Sequence, residues 1–106
     1  NVVAADTDDE AQFLASSGRQ SFASLRAGHP ITLPPPSKEW TRDPRAPADP
    51  AQPTRVSFVG APDTVAAGMR DFIAQTQANE LIVVSHIYDH AARLRSYELA
   101  MTASRR

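Results

Sequence analysis

The sequence has no cysteine among its 106 residues. Disulfide bonds, thiol nucleophiles and cysteine-ligated metal sites are therefore excluded for this chain. The chain also has no excess of charge of either sign, because 11 basic and 12 acidic residues leave a formal net charge of −1. A charge this close to balance gives no basis for nucleic acid or an anionic membrane as a partner.

Long apolar runs and several sequence fingerprints are also missing. No apolar run approaches the roughly 20 residues that a membrane-spanning helix requires. The first ten residues, NVVAADTDDE, have neither the basic nor the apolar region of a signal peptide, so we expect a cytoplasmic protein. The four glycines never form G-x-G-x-x-G, and no G-x-S-x-G occurs. The dinucleotide fingerprint and the serine hydrolase elbow are therefore excluded.

Three short apolar runs predict β-strands at residues 2–5, 56–59 and 81–84. The last run, LIVV, is continuously apolar, which is typical of a strand buried on both faces. Each run is followed by a helical pattern. Short apolar strands that alternate with amphipathic helices predict an α/β fold with parallel strands and right-handed crossovers.

The helix ends are predicted from local capping signals. Thr7 and Glu10 form a capping box at the start of the first helix, and Gly28 ends that helix. The second helix begins at Pro62 and continues to about residue 76. The third helix extends from about residue 89 to 104, with Asp89 as its cap.

The apolar positions of the helices predict which side of each faces inward. In the first helix these are Ala11, Leu14, Gly18, Phe22 and Leu25, and in the second Val65, Met69, Phe72 and Ile73. In the third helix they are Ala91, Leu94, Tyr97 and Met101. Its charged residues, Arg93, Arg95 and Glu98, are expected to remain in solvent.

Residues 29–55 differ from the rest of the chain in composition. They contain eight of the nine prolines, including three in succession at 34–36. Proline removes an amide donor and fixes φ, so helix and central strand are both disfavoured. We expect a long extended connection that acts as a linker or a lid, and a ligand for a proline-binding domain is the alternative.

The chain is thus predicted to be a single domain made of a βα unit at 1–28, the proline-rich loop at 29–55 and two further βα units at 56–106. Three parallel strands are few, because both faces and both edges of such a sheet need cover. A single layer of helices would leave the other face bare. The pattern therefore indicates part of a larger α/β protein, and the exposed half-sheet predicts self-association.

Residues 85–99, SHIYDHAARLRSYEL, carry the densest group of polar side chains. His86 and His90 are four apart, a spacing that binds zinc when both lie on one helix face. Here His86 ends a strand and His90 begins a helix, so we predict no metal site. His86 is instead a candidate general acid or base. Tyr88 is either a buried, hydrogen-bonded ring or a wall of a pocket.

Two segments of the chain resemble a known family. VSFVGAPDTVAAGMRDFIAQTQANELIVVSHIYDHAARLRSYELA, at 56–100, resembles the C-terminal segment of the luciferase-like flavin-dependent monooxygenases. NVVAADTDDEAQFLASSGRQSF, at 1–22, is similar to the strand and helix that precede it in that family. The turn V-G-x-P-[DE]-x-V followed by the SHIYDHAARLRSYEL text makes the resemblance specific.

The resemblance implies a (β/α)8 TIM barrel that binds FMN or a deazaflavin and oxidises an organic substrate with O2 and reduced flavin. This chain corresponds to about the last three βα units, so strands one to five are absent. Because much of the flavin pocket belongs to that absent part, we expect this chain alone to be inactive. The alternative is a non-enzymatic α/β module that self-associates.

The resemblance also implies where a site lies. In such barrels the carboxyl ends of the strands face the active site. Gly60, Ala61 and Ser85 are then expected to contact the cofactor and His86 to be catalytic, with Asp6 at the same edge. Ala61 stands where the family often has a serine or threonine cap. Its methyl group cannot accept an amide, although the backbone amides at that helix start can still bind an anion.

Overall fold

A computed structural model of the protein describes residues 1–41 and 57–105. Within these ranges, strands β1 and β2 are Val2–Ala4 and Phe58–Gly60, and helices α1, α2 and α3 are Asp8–Arg26, Pro62–Thr76 and His90–Ser104. A short 3₁₀ turn is formed by Lys38–Trp40. The predicted α/β class with alternating strands and helices is confirmed.

The two strands pair in parallel, with Val2 opposite Phe58 and Ala4 opposite Gly60. Because peptide groups along a strand point alternately to its two sides, β1 can pair on both edges. The Ala5 amide donates to the Gly60 carbonyl at 3.2 Å, whereas the Val2 amide donates to the Val84 carbonyl at 2.7 Å on the other edge. β1 therefore lies between β2 and the segment 81–84.

The segment 81–84 is not a regular strand, and the prediction of a third strand buried on both faces is wrong. The Val2–Val84 bond is its one backbone hydrogen bond to β1 among the described residues. Leu81 and Val83 pack against the core, while Ile82 between them is 89% exposed. The alternation means that the segment is extended but covered on one face only.

Helices cover both faces of the strand pair. Val2 and Ala4 pack with α2 and α3, whereas Val3 and Ala5, which point the opposite way, pack with α1. The expectation that one face stays bare is therefore wrong. A parallel pair with helices on both faces has the layering of a doubly wound sheet.

The helix ends follow the capping signals. Thr7 Oγ1 accepts the Glu10 amide at 3.1 Å, and Asp89 Oδ2 accepts the Ala92 amide at 2.9 Å. Pro62 occupies the first position of α2, where no amide is needed. Gly28 follows α1 with a φ of 82°, the left-handed conformation that glycine adopts at low cost. The predicted starts and ends of the helices are confirmed.

The buried face of α3 differs from the predicted one, whereas in α1 the predicted Ala11 is buried and Leu14 packs against the core. In α3 the buried residues are Ser96, Leu99, Ala100 and Ala103, whereas Leu94, Tyr97 and Met101 are exposed. In α1 they are Ala11, Gln12, Ala15, Ser16 and Ser17, and Leu25 is exposed. Small side chains face inward because the helices approach the strands closely. Of the second helix's predicted stripe, Val65 and Met69 are buried and Ile73 is exposed.

The start of the proline-rich segment lies along α1. The Ser37 amide donates to Ser16 Oγ at 2.9 Å, and Gln20 donates to the Pro35 carbonyl at 3.1 Å. Arg19 donates to the Trp40 carbonyl at 3.3 Å. Residues 35–40 are thus attached to the helix rather than free of it. The rest of the predicted loop, and Val56 at the start of the predicted second strand, lie outside the described residues.

Candidate functional site

The predicted site residues do not share one edge of the fold. The segment 81–84 ends beside the start of β1, because the Val84 carbonyl binds the Val2 amide and the His86 amide binds Asn1 Oδ1. β1 and β2 pair in parallel, so their carboxyl ends, with residues 5–8 and 60–61, lie at one edge, which we call the carboxyl edge. In α/β proteins this is the edge at which ligands usually bind.

The Gly60–Ala61 turn is occupied by a carboxylate of the protein itself. Asp8 Oδ1 accepts the Ala61 amide at 2.7 Å and the Thr64 hydroxyl at 2.8 Å. Ala61 is the cap residue of α2 and makes no side-chain cap bond of its own. Asp8, in the first turn of α1, therefore caps α2 through the amide of residue 61 itself, whereas a hydroxyl at 61 would bind an amide two or three residues ahead.

Asp8→Ala is expected to destabilise the protein by about 1–2 kcal/mol, the usual cost of losing a helix N-cap. The matched control is Asp9→Ala, which removes the same charge from an exposed position in the same helical turn. Urea unfolding of both variants measures the difference. Equal stability of the two variants would contradict the capping role of Asp8.

Ser85 is held inside the fold rather than directed toward solvent. Its side chain is buried, and its hydroxyl donates to the Val2 carbonyl at 2.6 Å. The Ser85 amide donates to the Tyr97 hydroxyl at 3.2 Å. Ser96 also approaches Ser85, with 3.3 Å between the two hydroxyl oxygens. The Ser85 hydroxyl thus fastens the segment to β1, and its cofactor contact stays a prediction.

His86 is exposed and lies beside the start of β1 and Gly18 of α1, away from the carboxyl edge. Its backbone amide donates to Asn1 Oδ1 at 3.2 Å, which fixes the backbone while the side chain remains in solvent. Tyr88, two residues further along, is also exposed, so the interpretation of its side chain as a buried, hydrogen-bonded ring is wrong.

His90 does not join His86 in a common site. The His90 ring nitrogen Nδ1 lies 2.7 Å from an Arg93 guanidinium nitrogen, within the first turn of α3. Across the described ranges 1–41 and 57–105, no three side chains of the metal-binding types come together.

Sequence reasoning did not identify the ion pairs at this edge. Arg95 lies 3.1 Å from Asp6 and 3.3 Å from Glu98, with all three side chains largely exposed. The hydrogen bonds to Asp6 and then to Glu98 raise the pKa of Arg95 above its ordinary value. The Arg95–Glu98 spacing of three was visible in the sequence. The partner Asp6, 89 positions away, was not.

Two cavities lie away from the carboxyl edge. The larger, about 370 Å³, lies between α2, α3 and residues 78–83, and the smaller, about 230 Å³, is near Asn1, Phe58 and Leu81 at the strand starts. Neither is lined by Gly60, Ala61, Ser85 or His86. No helix in the described part of the chain is long and apolar enough to cross a membrane.

The described residues do not fit the phosphate of FMN at the Gly60–Ala61 turn. A phosphate there needs the free amides of a helix start, and the Ala61 amide is already bound by Asp8. A carboxylate at that position also repels a phosphate. Contacts of Gly60 and Ala61 with a flavin therefore stay a prediction, and no chemical step is derived from them.

Comparisons with known proteins cover almost the whole chain. It is 38% identical to a luciferase-like monooxygenase of Escherichia coli strain K12 over 103 residues, 95% of this chain and 31% of the relative. It is also 38% identical to the uncharacterised protein YvbT of Bacillus subtilis strain 168 over 100 residues, 92% of this chain and 30% of YvbT. No protein-family model matches the chain.

A solved structure agrees with these relatives. The crystal structure of apo-MsnO8 superposes with a TM-score of 0.77 at 33% identity, and the match covers 98% of this chain and 33% of that protein. The chain thus spans about a third of the length of the relatives that it matches. Over that third, sequence and fold agree, and the chain matches a segment of the luciferase-like monooxygenases.

Proposed function

We propose that this chain supplies the C-terminal βα segment of a flavin-dependent monooxygenase and does not catalyse the reaction by itself. In that reaction one oxygen atom of O2 enters an organic substrate and the other leaves as water, with reduced FMN as the two-electron donor. A deazaflavin as cofactor would supply hydride transfer in place of oxygen activation. The observation that supports the proposal is 38% identity to a luciferase-like monooxygenase over 95% of the chain. Because this is 31% of the relative, the remaining residues of the enzyme must come from elsewhere.

For the complete protein we propose a (β/α)8 barrel, with residues 1–28 and 56–106 as its last three βα units and 29–55 as their connection. The parallel pairing of β1 with β2 and the helix after each strand support it. Helices on both faces of the strand pair are not expected of a barrel segment. A structure of the complete protein would test this part of the proposal.

Within this proposal His86 is the acid–base residue, since its imidazole is exposed. Its position beside Asn1, at the start of β1, supports that role less than a position at the carboxyl edge would. Gly60, Ala61 and Ser85 are proposed to border the cofactor through their backbone position. Two of their polar groups are already bound within the protein, which supports that role less. Asp8 binds the Ala61 amide, and the Val2 carbonyl binds the Ser85 hydroxyl.

The second candidate is a non-enzymatic module that associates with copies of itself. It is favoured by the exposed apolar side chains of the segment 81–84, above all Ile82. Apolar groups of this kind commonly mark an association surface.

Adding FMN to the purified chain tests the lack of cofactor binding that both candidates predict. We expect no change in the flavin absorption spectrum and no rise in the melting temperature with the chain alone. The same measurement with the intact E. coli relative is the control, in which binding is expected. Tight one-to-one binding of FMN by the monomeric chain would contradict both the proposed inactivity and the non-enzymatic alternative.

A further inference from the structure

Helix α3 is attached to the fold through contacts with residues far earlier in the chain. The Ser96 hydroxyl accepts the Ala4 amide at 2.9 Å, and Arg95 lies 3.1 Å from Asp6. On its buried side α3 packs with apolar residues of β1 and α2. We call residues 84–104 the α3 unit. Its partners in β1 and α2 would receive the same contacts from the α3 unit of another copy of the chain.

Residues 78–83 connect α2 to the α3 unit, and we call them the hinge. Gln77 ends α2 in the left-handed conformation, with a φ of 54°. In the described part of the chain no backbone hydrogen bond involves the hinge, and the next such bond joins the Val2 amide to the Val84 carbonyl. A segment with so few bonds can rearrange while the elements on both sides of it stay folded.

The hinge also exposes apolar surface. It contains Leu81, Ile82 and Val83, and the Ile82 side chain is 89% exposed. The edge of the hinge that faces away from β1 has no backbone partner among the described residues. An open edge of this kind pairs readily with another strand. Two hinges related by a two-fold axis would pair antiparallel and shield the two Ile82 side chains from water.

We infer that two copies of this chain exchange their α3 units, so that each unit packs on β1 and α2 of the other copy. The contacts of Ser96 with Ala4 and of Arg95 with Asp6 are then re-formed between the copies. The pairing of the two hinges is a contact that the single chain lacks, and it favours the dimer. Exchange of an identical element is a low-cost route to dimers. The inference goes beyond the proposed function, because it involves neither flavin nor substrate.

The test asks whether a cross-link between α3 and the end of β1 joins one chain or two. Asp6→Cys and Arg95→Cys are introduced together, because these side chains meet and the chain has no cysteine of its own. Loss of an exposed ion pair costs little stability. The double variant is refolded from urea at high protein concentration, and its dimer is isolated by size-exclusion chromatography with light scattering. After treatment with a short bismaleimide, a covalent dimer is expected on a denaturing gel.

Ile82→Asp is expected to weaken the dimer about tenfold or more, because it places a carboxylate in the apolar contact between the hinges. Thr102→Asp is the matched control, since it adds the same charge at an exposed position of α3 outside the hinge. It is expected to dimerise as the unaltered chain does. A dimer whose cross-link stays within each chain would overturn the inference, because the copies would then dock without exchange. So would the absence of a dimer, or equal dimerisation by the two variants.

Discussion

Gly60→Ala is expected to destabilise the protein by about 2–3 kcal/mol, through overpacking combined with loss of the α2 cap. A Cβ at this position would lie 2.6 Å from Asp8 Oδ1 and 2.7 Å from Thr64 Cβ. Either the Asp8 carboxylate moves, and its bonds to the Ala61 amide and the Thr64 hydroxyl lengthen, or the turn itself shifts. The measurement is the free energy of unfolding in urea.

Gly18→Ala provides the matched control, because it adds the same methyl group in the interior of α1. There a Cβ meets its nearest neighbour, His86 Cβ, at 3.7 Å, which is an ordinary contact. Alanine is the better helix former by about 0.5–1 kcal/mol, so this variant is expected to be more stable than the original. If both substitutions shift the stability in the same direction, the steric explanation for Gly60 is wrong.

Ser96→Ala is the second substitution with a large expected effect, about 2 kcal/mol of destabilisation, since it leaves a buried backbone amide without a partner. Ser96 is fully buried, and its hydroxyl oxygen accepts the Ala4 amide at 2.9 Å. The hydroxyl also lies 3.4 Å from the Val2 carbonyl. The Ser96 hydroxyl thus binds β1 at Ala4, two residues beyond Val2, whose amide binds the segment 81–84.

Amide hydrogen exchange separates this role from a general loss of stability. In Ser96→Ala the Ala4 amide is expected to exchange faster than the Ala5 amide, which remains bound to the Gly60 carbonyl. Ser104→Ala is the control, because its hydroxyl bonds the Met101 carbonyl on the exposed side of α3. Equal exchange at Ala4 in the two variants would count against the edge-binding role.

The helix boundaries were predictable because their signals are local. Thr7 and Asp89 each accept an amide three residues ahead, and Pro62 needs no partner for its own nitrogen. Interactions of this range are set by the order of residues and do not depend on what packs nearby. The family could also be identified from the sequence, since its motif lies in one continuous stretch at 81–99.

The buried face of α3 was not predictable from its apolar pattern. Leu94, Tyr97 and Met101 form a regular apolar stripe, yet the helix turns Ser96, Ala100 and Ala103 inward. Close approach of α3 to the edge of β1 favours small side chains, and the Ser96 hydroxyl finds its partner 92 residues away. Periodicity shows that a helix has an apolar side, but it does not show what that side meets.

The predicted site residues show the same difference between what local sequence indicates and what packing decides. The sequence by itself determined that Gly60, Ala61, Ser85 and His86 would follow strand-like segments, but their predicted position at one edge of the fold is wrong, because Ser85 and His86 lie beside the start of β1. Only the tertiary structure decided that Asp8 binds the Ala61 amide, that Ser85 is buried against Val2 and that His86 remains exposed. Caps and turns depend on residues a few positions apart, whereas these contacts join residues 53 and 83 positions apart and exist only once the elements have packed.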